Sequence, residues 1–156
     1  MVRFASCLLL TTSLFLAIAP GLGRAAEKPY VPDLGDFMGM TQLRHFKLFY
    51  AGRTQNWDLA DYEIGQIRKS FEYAAEFYPK LGDVDMAKMI ETDSFGPLDS
   101  LRQAVASRDP KAFSAQFDKL TAACNACHEA TRFGFIKIGV PTASPFTNQM
   151  FGPPPK

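Results

Sequence analysis

The chain has 156 residues, with 17 basic and 16 acidic side chains and a formal net charge of +1. A charge this close to balance, without a cluster of lysines and arginines, gives no electrostatic reason to expect a nucleic acid partner. The length suits a single domain built around one apolar core.

Residues 1–25 have the pattern of a secretory signal peptide, which is removed on export. Arg3 supplies the positive start, residues 8–19 are apolar, and Gly23-Arg24-Ala25 offers a small-x-small cleavage site. The apolar stretch is short for a transmembrane span, so we predict a periplasmic protein without stable membrane insertion. Removal takes away Cys7 and two of the 17 basic side chains, so that the 16 acidic ones then outnumber the basic ones by one.

A helical domain is predicted over residues 35–133. Residues 26–34 carry two prolines and few periodic apolar positions, which indicates an extended leader before this domain. Good helix formers without proline run from Asp36 to Ala51, and Gly52 gives a stop signal. We therefore predict the first helix over this stretch.

The second predicted helix, from Asp58 to Pro79, has the clearest periodicity of the chain. Apolar residues recur in it at spacings of three and four, which is typical of a helix packed in a bundle core. These residues are Ala60, Ile64, Ile67, Phe71, Ala74 and Tyr78. Residues 82–96 are less regular and predict only a short helical turn, and a third helix is predicted over residues 97–106.

Asp109-Pro110 is a helix start signal, an N-cap followed by proline at the first helical position. The fourth helix is predicted from there to about residue 132, with Phe113, Phe117, Leu120 and Cys124 on one stripe. Residues 134–156 carry several prolines and predict an extended tail that packs on the helices. The predicted fold is all-α, an antiparallel four-helix bundle with this tail.

The run Cys124-Asn125-Ala126-Cys127-His128 is a C-x-x-C-H sequence, the pattern of c-type haem attachment. Two thiols at this spacing can add to the vinyl groups of one porphyrin, and the adjacent imidazole can bind its iron. We predict one haem c held covalently by Cys124 and Cys127, with His128 as proximal axial ligand. A thioredoxin-like thiol pair needs strand–helix alternation, and a zinc site would need the distant His45 as its fourth ligand, so both are disfavoured.

A late C-x-x-C-H on the last helix of an all-helical exported chain resembles the cytochrome c-prime family of bacterial four-helix c-type cytochromes. In that family a basic residue typically follows the proximal histidine by four positions, as Arg132 does here. The aromatic-bearing run at residues 113–120 is also similar. The resemblance covers residues 109–132, and it implies Arg132 near the haem and a possible homodimer through the first two helices. The long segment after Arg132 departs from the family pattern.

The sixth iron ligand is left open by the sequence. In an antiparallel bundle the first helix lies beside the fourth, so it is the natural source of a group on the far side of the iron. Its candidates are Met38, Met40 and His45, although His45 also suits an interhelical hydrogen bond. The resemblance implies an apolar residue there in high-spin members and a methionine in low-spin relatives.

The predicted function follows from the coordination of the iron. Two protein ligands suit electron transfer, so we predict a periplasmic monohaem electron carrier with transient redox protein partners rather than an enzyme. The alternative is a five-coordinate haem protein that binds nitric oxide or carbon monoxide, which the resemblance implies. A peroxidase is a weaker hypothesis, because His45 alone could serve as an acid or base above the iron.

Overall fold

The computed structural model describes residues 30–144, 146 and 148–154. The predicted signal peptide, residues 1–25, and residues 26–29 of the predicted leader lie outside these residues. Apart from Tyr30, the described residues fall within one unit of the chain, Val31–Lys156. None of the helices in this part of the chain is both long enough and apolar enough to cross a membrane.

Helices dominate the described chain, which confirms the predicted all-α class. Four of them are long, and a short helix and a π-helical turn precede the third long one; the only strands among the described residues are two of two residues each. In chain order the elements are α1 Leu34–Arg53, α2 Trp57–Phe77, β1 Lys80–Leu81, β2 Val84–Asp85, α3 Met86–Met89, the π-helical turn Ile90–Ser94, α4 Phe95–Ala106 and α5 Pro110–Ala130.

Side-chain caps mark the first residues of α2 and α5. Asn56 caps α2 through its side-chain oxygen, which accepts a hydrogen bond from the Leu59 amide at 3.2 Å. The predicted cap of this helix, Asp58, lies inside its first turn instead. Asp109 caps α5 by accepting from two backbone amides, with Pro110 at the first position, as predicted.

The region between α2 and α4 differs from its prediction. A short antiparallel hairpin pairs Lys80 with Asp85, and Gly82 takes a φ of +58° at its turn. Strands of two residues leave no periodic pattern, so the sequence prediction missed them. The third predicted helix, residues 97–106, begins two residues earlier than predicted, at Phe95, and Pro97 lies in its first turn, where a missing backbone N–H costs no helical hydrogen bond.

Each long helix packs against two of the others, in the pairs α1–α2, α2–α4, α4–α5 and α1–α5. Burial confirms the periodic stripes, because the predicted α2 face is enclosed except for the half-buried Tyr78. On α5, Phe113, Phe117 and Leu120 are buried, while Cys124 is half-buried. The apolar core therefore lies between the long helices and ends near the C-x-x-C-H sequence.

The segment after α5 returns along the helices. Phe151 is buried, with its ring centroid 5.4 Å from that of Tyr50 on α1. Thr54 donates a hydrogen bond to the Phe151 carbonyl at 2.8 Å, and Asn56 donates one to the Gly152 carbonyl at 3.1 Å. The far part of the tail is thus attached where α1 passes into α2.

Candidate functional site

A cavity of about 330 Å³ opens between α1, α5, the α3 region and the first residues of the tail. Its volume falls within the roughly 300–1,000 Å³ of small-molecule and cofactor sites. The wall is mostly apolar, with few polar groups. Side chains that form it include Leu34, Met38, Leu81, Met86, Ile90, Phe133, Ile136 and Ile138.

Three residues of the C-x-x-C-H sequence, Cys124, Cys127 and His128, line this cavity together. Neither cysteine is in a disulfide. Burial raises the pKa of Cys124 to about 11, and burial with a smaller effect of the Asp93 charge raises the pKa of Cys127. Both groups are therefore neutral thiols at pH 7, whereas thiol–disulfide exchange motifs lower the pKa of their attacking cysteine.

His128 has one ring nitrogen occupied and the other available. Its Nδ1 lies 2.8 Å from the backbone carbonyl oxygen of Ile136. A carbonyl only accepts, so Nδ1 carries a proton, and the neutral form of this ring has its lone pair on Nε2. A histidine that binds a metal through Nε2 is generally oriented by this kind of Nδ1 hydrogen bond.

His45 lies on the α1 side of the cavity and is 3% exposed. Its Nε2 is 2.8 Å from the Thr121 hydroxyl oxygen, which is also 3.0 Å from the Phe117 carbonyl oxygen. When the hydroxyl donates to that carbonyl, it accepts from the imidazole, which is then the donor through Nε2–H. His45 therefore makes an interhelical hydrogen bond, and burial lowers its pKa to about 4, which keeps it neutral.

The residues at this cavity fit a flat, mostly apolar group held through two thiols. Gly35 and Gly39 lie one turn apart on α1 and line the cavity, and a Cβ built on either meets nothing within 4 Å. The wall is open there, where side chains would otherwise fill the space. A haem c fits this donor set, because it needs two thioether partners and an imidazole rather than a cage of ligands.

In the described part of the chain, no group of three or more His, Cys, Asp or Glu side chains is arranged to hold a bare metal ion. The structure brings Cys124, Cys127, His128 and His45 to one cavity but leaves two other predicted residues outside it. Met40 is 46% exposed and does not line the cavity, whereas Met38 does.

Arg132 is exposed and also lies away from the cavity wall. Helix α5 has ended at Ala130, and Arg132 adopts a φ of +66° at the turn that follows. This turn directs the chain back into the tail, so the helical spacing of four from His128 does not bring Arg132 to the site. Its place near a haem stays a prediction from the resemblance.

Sequence reasoning missed part of the site. The two α1 glycines and the Ile136 carbonyl were not predicted as site groups. The available signal is the alternating sequence Phe135-Ile136-Lys137-Ile138, which indicates a short extended stretch after the C-x-x-C-H sequence.

No protein-family model, curated protein or solved structure matches this chain.

Proposed function

We propose that this chain is a monohaem c-type cytochrome related to the cytochrome c-prime family, and that it carries electrons in the periplasm. One observation carries the proposal: two neutral thiols and an imidazole with a free Nε2 meet at one apolar cavity. Cys124 and Cys127 would hold the haem covalently, and His128 would bind its iron. When bound, the haem iron supplies one-electron redox chemistry.

We infer that the four long helices form an antiparallel bundle. The contacts α1–α2, α2–α4, α4–α5 and α1–α5 close a ring, which supports this arrangement. The connections from α1 to α2 and from α4 to α5 are short, as expected between antiparallel neighbours. In this bundle α1 would face α5 across the cavity.

Met38 is our proposed sixth ligand. When two helices run antiparallel, moving back along one corresponds to moving forward along the other. His45 Nε2 lies 2.8 Å from the Thr121 hydroxyl oxygen, so these two residues are at one level of the helix pair. Met38 precedes His45 by seven residues, and His128 follows Thr121 by seven residues. Met38 and His128 would therefore lie opposite each other. Met38 also lines the cavity.

The two other candidates have less support as ligands. His45 is already bonded to Thr121 through Nε2, and two helical turns, roughly 10 Å, separate it from the level of Met38. Met40 is 46% exposed and is not part of the cavity wall. A His/Met pair would leave no open position on the iron, which suits an electron carrier. Transient redox proteins would then be its partners.

Visible spectra of the haem-loaded protein, with and without carbon monoxide, test this function. We expect sharp reduced bands that carbon monoxide does not change in the natural protein and in Met40→Ala, the matched control from the same helix. Met38→Ala should open the iron and bind carbon monoxide. If His45→Gln opens the iron and Met38→Ala does not, His45 is the ligand.

Two results would contradict the proposal itself. Exported protein whose mass shows no covalent haem would remove the cytochrome assignment. Natural protein that binds carbon monoxide readily would replace the carrier with the gas-binding alternative.

A further inference from the structure

Asn125 is a residue of the C-x-x-C-H sequence whose identity the haem chemistry does not require. Its side-chain amide nevertheless makes two hydrogen bonds to the backbone of Ile138 in the tail. Nδ2 donates to the Ile138 carbonyl at 2.8 Å, and Oδ1 accepts from the Ile138 amide at 2.8 Å. Both polar groups of that peptide residue are thereby satisfied, so the tail is held at two points and in one register.

The same amide is fixed on its own helix. Nδ2 also donates to the carbonyl of Thr121, one turn earlier on α5, at 3.2 Å. This third bond and the pair to Ile138 agree on one orientation of the amide, because exchanging its oxygen and nitrogen would break all three. We call the two hydrogen bonds between Asn125 and Ile138 the clamp. It therefore has a defined geometry on a rigid helix.

The clamp sets the position of the carbonyl that His128 uses. Ile136 lies two residues before Ile138, and its carbonyl accepts the hydrogen bond from His128 Nδ1 at 2.8 Å. On the other side, the Phe133 amide donates to the His128 carbonyl at 2.7 Å, and the Ile136 amide donates to the Phe133 carbonyl at 2.8 Å. The segment is held from both ends, with the acceptor of His128 between them.

We propose that Asn125 is a positioning residue for the haem centre: it holds the tail so that the Ile136 carbonyl accepts from His128 Nδ1–H and the Nε2 lone pair is directed into the cavity. The inference rests on the proposed function, in which His128 is the proximal ligand. An Nδ1 hydrogen bond of this kind fixes the ring and raises the basicity of the ligating nitrogen. The tail is then part of the iron environment.

The test compares reduced, haem-loaded variants by the solvent exchange of the His128 Nδ1 proton in nitrogen-15 NMR spectra and by reduction potential. Asn125→Ala removes the clamp. We expect its Nδ1 proton to exchange at least about tenfold faster, since each 1.4 kcal/mol of lost protection is a factor of ten. Its potential should rise, because a less basic imidazole stabilises the ferric iron less.

Two controls separate this positioning role from a general loosening of the tail. Ala126→Ser changes the other free position of the motif, which is exposed, and should leave both measurements unchanged. Phe151→Ala loosens the far part of the tail without touching the clamp and should also leave the Nδ1 proton protected. If Phe151→Ala accelerates exchange as much as Asn125→Ala, the effect is tail detachment and the positioning role is refuted.

Asn125→Asp keeps the experiment decisive if Asn125→Ala does not mature. It keeps an oxygen that accepts from the Ile138 amide but sets its second oxygen against the Ile138 and Thr121 carbonyls, so we expect exchange faster than in the natural protein. Unchanged exchange, or a lowered potential in Asn125→Ala, overturns the inference. That outcome is distinct from failure of the proposed function, which would appear earlier, as a natural protein without covalent haem.

Discussion

Acid should destabilise this fold through His45, whose burial sets the size of the effect. Burial lowers the pKa of this imidazole from 6.5 to about 4. Below pH 6.5 the unfolded chain takes up a proton here, whereas the folded chain does not until about pH 4. The stability contributed by the neutral, buried ring is therefore complete above pH 6.5 and is lost as the pH falls toward 4.

The magnitude follows from the two pKa values. A difference of one bound proton changes the free energy of unfolding by about 1.4 kcal/mol per pH unit. Across the window from 6.5 to about 4, the loss from this one residue is on the order of 3 kcal/mol. That is a large part of the roughly 5–15 kcal/mol that stabilises a typical domain.

Urea unfolding of the haem-loaded protein, followed by circular dichroism between pH 7.5 and 4, measures this effect. His45→Gln keeps a donor for Thr121 but does not titrate, and the carboxylates common to both proteins cancel in the difference. The natural protein should lose more stability than His45→Gln as the pH falls. Thr121→Val, which leaves the histidine buried, should keep the acid sensitivity. Parallel profiles for the natural protein and His45→Gln would refute the reasoning.

Two further predictions concern packing and charge. Gly52→Ala should lower the free energy of unfolding in urea by about 1–3 kcal/mol, because its Cβ would overlap the Phe113 ring. The control Gly96→Ala, whose Cβ meets nothing within 4 Å, should not lower it. Equal effects would contradict this reasoning. The Arg44 guanidinium lies 3.3 Å from a carboxylate oxygen of Glu63, whose side chain is 1% exposed. Burial raises the pKa of Glu63, and the charge of Arg44 only partly offsets this. Arg44→Leu should therefore cost about 3–5 kcal/mol, and replacing both by leucine should recover most of it; a double variant as unstable as the single one would show that the unpaired carboxyl is not the cause.

The parts of the fold that the sequence predicted well are those with local causes. The α2 stripe follows from residue spacing, and the start of α5 follows from Asp109-Pro110, because a cap and a proline act within one turn. Cys124, Cys127 and His128 were predicted as site residues because the chemistry of attachment demands that spacing. The structure places all three on one cavity.

The remainder of the site depends on contacts between distant residues. Whether Met38 or Met40 faces α5 depends on the rotation of α1, whose apolar pattern is weak. Because both residues are methionines, residue type does not distinguish them. Arg132 was predicted from the family resemblance alone, and it lies beyond the end of α5 at Ala130. The clamp between Asn125 and Ile138 could not be predicted, since an asparagine in a helix gives no indication of which peptide it will bind.

The two walls of the cavity differ in how far apart their parts lie along the chain. Asn125 and Ile138 are 13 positions apart, so closing the wall around His128 orders only a short loop and costs little entropy. His45 and Thr121 are 76 positions apart, and the opposite wall forms only when α1 docks. Substitutions in α1 can therefore change the wall opposite His128 while the segment of residues 124–138 keeps its own geometry. The two sides of the cavity are therefore open to change by separate substitutions.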